Sequence, residues 1–198
     1  MKLRAKNKCV VGLTGSILSG KSTALALFAH YGALTISADE LVRNLYQTKP
    51  VQRWLVQTVG TAEPAQVAAR IFREPSLRQK VEAYLHPKVL ALAARQVKAS
   101  PSSLIVFEVP LLFEAGWEKY TDLNLVLLGN PKMLSARLKS RRMTRQEYEK
   151  RLAAQLPEAA KARRADVVLA HRGTKKDLGN KIKRLTQALT FIMEQSKE

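Results

Sequence analysis

Cysteine, aromatic residues and long apolar runs are all scarce in this sequence of 198 residues. The only cysteine, Cys9, excludes a disulfide framework within the chain and is typical of a small core residue. No apolar run approaches the length of a membrane span. The apolar stretch after the basic start at 1–8 is too short for a signal peptide. We therefore expect a cytoplasmic protein without a membrane partner.

Acidic residues are also in short supply, because 16 Asp and Glu face 34 Lys and Arg. The resulting net charge of +18 favours polyanionic partners, either phosphorylated small molecules or nucleic acid. Aromatic residues make up only 6% of the chain, and no aromatic-rich recognition motif accompanies the charge. Nucleic acid is therefore the less favoured partner, although the charge does not exclude it.

A complete phosphate loop is the most informative feature that is present. Residues 15–22 read G-S-I-L-S-G-K-S and match G-x-x-x-x-G-K-[ST], between an apolar run and a helical run. Backbone N–H groups of such a loop bind phosphates, and the helix that follows adds the positive end of its dipole. The predicted triphosphate site consists of Gly15, Ser16, Ile17, Leu18, Ser19, Gly20, Lys21, Ser22 and Thr23. Lys21 would neutralise the β- and γ-phosphates, and Ser22 would bind Mg²⁺, assisted by Glu108 through water.

Five short apolar segments alternate with helical stretches along the chain. They are Cys9–Leu13, Leu34–Ile36, Leu104–Val109, Leu123–Leu128 and Val167–Ala170. Their nearly continuous apolar character is typical of strands covered on both faces, and the intervening helices favour a parallel sheet. We predict an α/β fold, a P-loop NTPase-type three-layer sandwich with a five-stranded parallel sheet, a helical acceptor-binding insert and a lid.

The predicted organisation is a single kinase-type domain over 1–198, with a core at about 1–38 and 101–198. The insert, at about 39–100, has helical composition, and Pro75 and Pro87 are expected to divide it into short helices. The lid is placed at about 132–160, where Thr144-x-x-Glu147 predicts a capping box that opens a helix. An amphipathic helix is predicted near the C-terminus, with its apolar stripe against the sheet.

Several classes of phosphate-loop protein are disfavoured by missing motifs. GTPases need a guanine-selecting N-K-x-D, which does not occur, and ATP-driven motors need paired acids where Glu108 stands alone. A nucleotide or metabolite kinase fits best. Asp39, after the second strand, would then accept the proton of an attacking hydroxyl beside the loop. The alternative is that Ser37-x-x-Glu40 is only a capping box and Asp39 only a helix-start acid.

Two arginines provide the second candidate catalytic feature. Arg137 and Arg141 are four residues apart, so on a helix they share one face. Guanidinium groups there would neutralise the charge that develops on the transferring phosphoryl group. An exposed basic helix without a catalytic role is the alternative interpretation.

At this point the sequence resembles the dephospho-coenzyme A kinase family, which phosphorylates the ribose 3′-hydroxyl in the last step of coenzyme A synthesis. The matching segments, in chain order, are Val11–Gly15, Ser19–Thr23, Ile36-x-Ala38-Asp39, Leu85-His86-Pro87, Val109–Glu114, Ala153-Ala154-Gln155 and Ala165-Asp166. The resemblance implies an enzyme that uses ATP and Mg²⁺, with Asp39 as catalytic base and Lys21, Arg137 and Arg141 as catalytic cations. It also implies Thr14, His86, Pro110, Leu111 and Leu112 as neighbours of the acceptor.

The sequence departs from the family pattern at several of these places. Ser16 and Leu18 replace loop glycines, Ser37 replaces an acid, Leu90 replaces an arginine, and Ala170-His171 replaces an Asp-Asn pair. Two alternatives therefore stay open: another phosphate-loop nucleotide or metabolite kinase, or a degenerate nucleotide- or RNA-binding protein without catalysis. We expect a monomer or a small homo-oligomer.

Overall fold

The computed structural model describes residue 3 and residues 7–195; the parts of the predicted domain at 1, 2, 4–6 and 196–198 lie outside them. Its sheet contains the five predicted strands, each ending within one residue of the prediction. The strands are β1 (Cys9–Thr14), β2 (Leu34–Ser37), β3 (Leu104–Glu108), β4 (Leu123–Leu128) and β5 (Val167–Ala170). Their order across the sheet is β2-β3-β1-β4-β5. The predicted fold class is therefore confirmed.

The central strands pair in parallel, as their continuous apolar sequences predict. β1 lies between β3 and β4, with Leu13 opposite Glu108 on one side and opposite Leu125 on the other. β5 extends the sheet from β4. Because carboxyl ends of parallel strands lie at one edge of a sheet, the chain segments after β1 and β3 emerge together.

The chain folds into two compact units. The sheet unit consists of the residues up to Ile36 together with those from Val97 onward. Besides the sheet it contains α1 (Lys21–His30), α6 (Leu134–Ser140), α7 (Arg145–Ala153), α8 (Glu158–Arg164) and α9 (Lys175–Gln195). Short 3₁₀ turns lie at Glu118–Tyr120 and Pro131–Met133.

The core of the sheet unit forms where α1 and α9 pack on one face of the sheet. Phe28 of α1 and Leu178 and Ile182 of α9 are buried against Val11 and Leu125. The predicted amphipathic stripe near the C-terminus therefore faces the sheet as far as Leu189, whereas Ile192, its last predicted member, is exposed. Elsewhere in this unit Trp117 is buried and stacks on Phe107, with ring centroids 5.9 Å apart.

The helical unit, Ser37–Gln96, contains α2 (Ala38–Tyr46), α3 (Lys49–Val59), α4 (Pro64–Arg73) and most of α5 (Pro75–Ala99). Trp54 of α3 stacks on Tyr84 of α5, with centroids 3.9 Å apart and rings nearly parallel. The prediction that Pro87 divides this region was wrong, because Pro87 lies inside α5. For the same reason the Leu85-His86-Pro87 segment is helical.

The predicted capping box at the start of α7 is present with both of its hydrogen bonds. The Thr144 hydroxyl accepts from the Glu147 backbone N–H at 3.1 Å, and a Glu147 carboxylate oxygen accepts from the Thr144 N–H at 2.9 Å. The hydrogen bonds that this carboxylate accepts from the Thr144 backbone N–H and from the Thr144 hydroxyl hold the pKa of Glu147 below its ordinary value. The helix that the box opens ends at Ala153.

We expect Thr144→Ala to lower the free energy of unfolding by about 1 kcal/mol, because one helix-start N–H loses its acceptor. In a chain of this length that corresponds to a decrease in melting temperature of roughly 2–4 °C. Thermal denaturation followed by circular dichroism measures the change. Thr144→Ser, which keeps the hydroxyl, is the matched control; a serine variant as unstable as the alanine variant would contradict the capping argument.

No helix in the described part of the chain is long and apolar enough to cross a membrane.

Candidate active site

The phosphate loop joins β1 to α1 through two glycines that have no room for a side chain. Gly15 has φ of 154°, and an added Cβ would collide with the Leu127 carbonyl oxygen. Gly20, the N-cap of α1, has φ of 106°, and an added Cβ would lie 2.7 Å from His171 Nδ1. Both backbone angles lie where residues with a Cβ are strained. The two glycines of the motif are therefore required by the geometry of the turn.

The Lys21 side chain lies across the loop. Ser22 and Thr23 follow it in the first turn of α1. Lys21 Nζ donates to the carbonyl oxygens of Gly15 at 2.9 Å and Ser16 at 3.1 Å. The Ser22 side chain is exposed, and Thr23 is half-buried. The first turn of α1 carries no acidic residue. The positive end of the helix dipole therefore combines with the lysine ammonium to favour an anion.

Leu18, which replaces a family glycine, adopts a left-handed backbone conformation with φ of 62°. This conformation costs a residue with a Cβ roughly 1–2 kcal/mol. Arg137 stabilises it, since its Nη1 donates to the Leu18 carbonyl oxygen at 2.5 Å. The loop therefore bends at Leu18, and the charged side chain of Arg137 holds this bend.

The two predicted arginines are not in equivalent positions. Arg137 lies within α6, is half-buried against the loop, and has its pKa lowered by that burial. Arg141 is exposed and lies just past the end of α6, at the C-cap. The structure therefore brings Arg137 to the phosphate loop, whereas it leaves the Arg141 side chain in solvent.

A cavity of about 730 Å³ adjoins the outer side of the loop. Its wall is formed by loop residues 16–19, by Arg137 and by the segment that joins α7 to α8. Gln155 ties that segment to the loop, since its Oε1 accepts from the Ile17 N–H at 3.1 Å. Ser16 and Ser19 are themselves buried.

A buried ion pair supports the segment after β3. Lys161 of α8 is completely buried; its Nζ lies 3.0 Å from a Glu114 carboxylate oxygen and donates to the Pro110 carbonyl at 3.2 Å. The Thr14 hydroxyl donates to the same carbonyl at 3.0 Å, and Glu114 accepts from the Leu156 N–H at 2.8 Å. One network thus joins the end of β1, the segment after β3 and the start of α8.

The segment expected near the acceptor is only partly accessible. Pro110 and Leu111 are half-buried, whereas Leu112 is completely buried and packs near Gly12. Thr14 is also completely buried. Neither Leu112 nor Thr14 therefore presents accessible surface to a ligand in this structure.

The chemistry of two side chains fits Mg²⁺, which prefers oxygen ligands. The Ser22 hydroxyl is exposed in the first turn of α1, and the Glu108 carboxylate ends β3, the strand that neighbours β1. A hydroxyl with one carboxylate suits an ion that retains several waters and binds substrate phosphates.

Asp39 and His86 belong to the helical unit. Asp39 is exposed in the first turn of α2, where an acid is favourable. Ser37 occupies the N-cap of α2 but makes no side-chain cap hydrogen bond, so the alternative of a capping box was wrong. β3 lies between β2 and β1 in the sheet. His86 is half-buried in α5, and burial lowers its pKa despite the opposite effect of Glu82.

A phosphate loop of this sequence, placed between the central strand of a five-stranded parallel sheet and a helix, defines the class of P-loop phosphate-binding proteins. The family model described as dephospho-CoA kinase matches residues 9–177. The chain therefore belongs to the dephospho-CoA kinase family.

Individual relatives agree with this assignment. The dephospho-CoA kinase of Symbiobacterium thermophilum is 35% identical over 178 residues, which cover 83% of this chain and 74% of the relative. That of Thermus thermophilus is 31% identical over 191 residues and 94% of both chains. The crystal structure of TT1252 from Thermus thermophilus superposes with a TM-score of 0.83 at 31% identity, covering 93% of this chain and all of that one. The same fold occurs in a Campylobacter jejuni dephospho-CoA kinase, with a TM-score of 0.66 at 19% identity.

Three residues at this site were not predicted from the pattern. His171 contacts the loop and Arg137, Gln155 binds a loop amide, and Lys161 pairs with Glu114. Gln155 belongs to the Ala-Ala-Gln segment that carries part of the family resemblance. The resemblance pointed to this segment but did not indicate that Gln155 binds the loop. Lys161 could not be distinguished from the many other basic residues of the sequence. His171 was noted only as a departure from the family pattern.

Proposed function

We propose that this chain transfers the γ-phosphoryl group of ATP to the ribose 3′-hydroxyl of dephospho-coenzyme A, giving coenzyme A and ADP. Its membership of the dephospho-CoA kinase family carries the proposal. The complete phosphate loop with Lys21 in place supports the use of ATP. The proposal includes a cytoplasmic location and a small-molecule substrate.

The phosphate loop performs most of the proposed binding. Backbone N–H groups of residues 15–23 bind the β- and γ-phosphates, and Lys21 moves from the loop carbonyls to the phosphate oxygens. Ser22 and Glu108 would hold Mg²⁺, which neutralises phosphate charge when bound. Arg137 donates one N–H to the Leu18 carbonyl oxygen. Because a guanidinium has five N–H donors, further N–H groups remain for the γ-phosphate.

Asp39 is proposed as the catalytic base. It accepts the proton of the 3′-hydroxyl while that oxygen forms a bond to the γ-phosphorus, and the bond from the γ-phosphorus to the bridging oxygen breaks. The leaving group is ADP. Arg137, with Arg141 after movement of its segment, stabilises the charge on the transferring group.

The proposal assigns separate tasks to parts of the chain. The insert, at about 39–100, binds the acceptor, with His86 and the Pro110–Leu112 segment as neighbours of dephospho-coenzyme A. The segment at about 132–160 acts as a lid over the triphosphate. The cavity beside residues 16–19 supports the lid assignment, because α6 and the α7–α8 connection line it.

An acceptor panel tests the proposal. In an assay coupled to ADP formation, we expect ATP turnover with dephospho-coenzyme A, none with AMP, adenosine or shikimate, and loss of turnover when EDTA removes Mg²⁺. Turnover with a different acceptor would favour another metabolite kinase. A folded protein that turns over no acceptor and binds RNA with strong salt dependence would favour the degenerate binding protein.

A further inference from the structure

His171 follows β5 directly and is brought to the phosphate loop by the sheet. Its backbone N–H continues the β4–β5 pairing by donating to the Leu128 carbonyl at 2.8 Å. The residue is only 8% exposed. Because β5 runs parallel to β4 and ends at the same edge of the sheet as β1, the side chain reaches the start of α1.

The contact between His171 and Arg137 lets us assign a protonation state to the imidazole. His171 Nδ1 lies 3.3 Å from Arg137 Nη2. A guanidinium can only donate hydrogen bonds, so Nδ1 must accept and cannot carry a proton. The imidazole is therefore neutral, with its proton on Nε2. Protonation would place a hydrogen on Nδ1 and turn this attraction into repulsion between two cations.

The same arginine links this imidazole to the strained residue of the loop. Arg137 Nη1 donates to the Leu18 carbonyl while Nη2 faces His171. The imidazole also lies against Gly20 and forms a hydrogen bond with the backbone of Ser19. His171 thus contacts both the arginine that holds the loop and the residue at which α1 begins.

The charged groups around His171 are mainly positive. Arg137 faces it from α6, and Lys181 lies nearby on α9, where its Nζ donates to the Ala170 carbonyl at 2.8 Å. Lys21 follows Gly20 along the loop, but its ammonium is directed to the Gly15 and Ser16 carbonyls. Burial first, then Arg137 and Lys181, lower the pKa of His171, whereas the Ser19 backbone bond raises it.

We infer that neutral His171 is a positioning residue for ATP binding, which orients Arg137 toward the loop and supports the turn at Gly20. This inference rests on the proposed kinase function and adds His171 to the residues that support it. His171 occupies the position at which the family pattern described above has an asparagine. An asparagine side-chain oxygen would accept from Arg137 at every pH, whereas the imidazole accepts only when neutral. The histidine therefore makes the affinity for ATP dependent on pH.

The sign of this dependence follows from the neutral state. Above its pKa, His171 accepts from Arg137 and the loop is organised. As pH falls through that value, which lies below the ordinary 6.5, the imidazole becomes charged and repels Arg137. We expect kcat/KM for ATP to decline on the acid side in the wild type. In His171→Asn only the shallower decline caused by protonation of the ATP phosphates should remain.

Kinetics on three variants test the inference. At pH 8 we expect His171→Ala to reduce kcat/KM for ATP by about ten- to a hundredfold, the scale of a misplaced positioning group, whereas His171→Asn retains most of it. His30→Asn, at an exposed position on α1, is the matched control and should keep the wild-type pH profile. A His171→Asn variant whose acid limb is the same as that of the wild type, or a His171→Ala variant with unchanged kcat/KM, would overturn the inference.

A second measurement separates this inference from the proposed activity. NMR titration of the histidine signals, with His171 assigned by its loss in His171→Asn, should show its pKa rising in Arg137→Met. Calorimetric binding of a non-hydrolysable ATP analogue should weaken more steeply as pH falls in the wild type than in His171→Asn. Both readouts require no turnover, so an inactive wild type would refute the proposed function alone. An unmoved His171 pKa would refute the coupling.

Discussion

We expect Asp39→Asn to lower kcat for phosphoryl transfer to dephospho-coenzyme A by roughly two to four powers of ten, because Asp39 is the proposed catalytic base. The amide of asparagine cannot accept the proton of the 3′-hydroxyl at neutral pH, although it has nearly the same shape as the carboxylate. The KM for ATP should change little, because the phosphate loop is untouched. Steady-state kinetics with both substrates varied measures the two effects separately.

Glu40→Gln is the matched control for this experiment. Glu40 is the next residue in the first turn of α2, is also exposed, and lies 3.9 Å from Arg43 in an exposed pair. Both substitutions remove one negative charge from the same helix start, which costs about 0.3–1 kcal/mol of stability each. Only Asp39→Asn should affect kcat. Equal kcat values for the two variants would eliminate Asp39 as the base.

Lys161→Met is expected to produce the largest loss of stability. It removes the cation from an ion pair in which Lys161 is fully buried and the Glu114 side chain is only 14% exposed. Breaking a buried pair on one side costs about 3–5 kcal/mol, because a charge stays buried without its partner. Since Glu114 keeps the Leu156 N–H, we expect the lower end, a decrease in melting temperature of roughly 6–12 °C.

Two further variants identify the cause of that loss. Adding Glu114→Gln to Lys161→Met removes the unpaired charge and should recover most of the stability. Arg164→Met, on the same helix, breaks the more exposed pair with Glu118 and should cost about 1 kcal/mol or less. If the double variant is no more stable than Lys161→Met, lost packing rather than a stranded carboxylate explains the effect.

Local pattern was sufficient for the sheet and the phosphate loop. The five strands were predicted because buried parallel strands are continuously apolar, and each such run is visible within a few residues of sequence. The loop was predicted because its glycines and lysine occur at a fixed spacing that the turn requires. Both features depend on residues close together in the chain.

Features that depend on residues far apart in the chain, or on a balance between local helix propensity and burial, were not predictable from the sequence. His171 reaches Arg137 only because β5 lies beside β4, which no local pattern reports. Pro87 was expected to end a helix, yet α5 continues, and the buried side chains of Leu85 and Val89 flank the proline. Arg141 was placed on a helical face, but α6 ends one residue before it.

The positions of the two tryptophans give the chain a built-in pair of optical reporters. Trp117 emits from the buried interior of the sheet unit beside Phe107, and Trp54 emits from the helical unit while stacked on Tyr84. Trp54→Phe would leave fluorescence that reports unfolding of the sheet unit alone, and Trp117→Phe would leave a signal from the helical unit alone. Comparing the denaturant midpoints of the two single-tryptophan proteins would reveal whether the units melt as one cooperative body or in sequence.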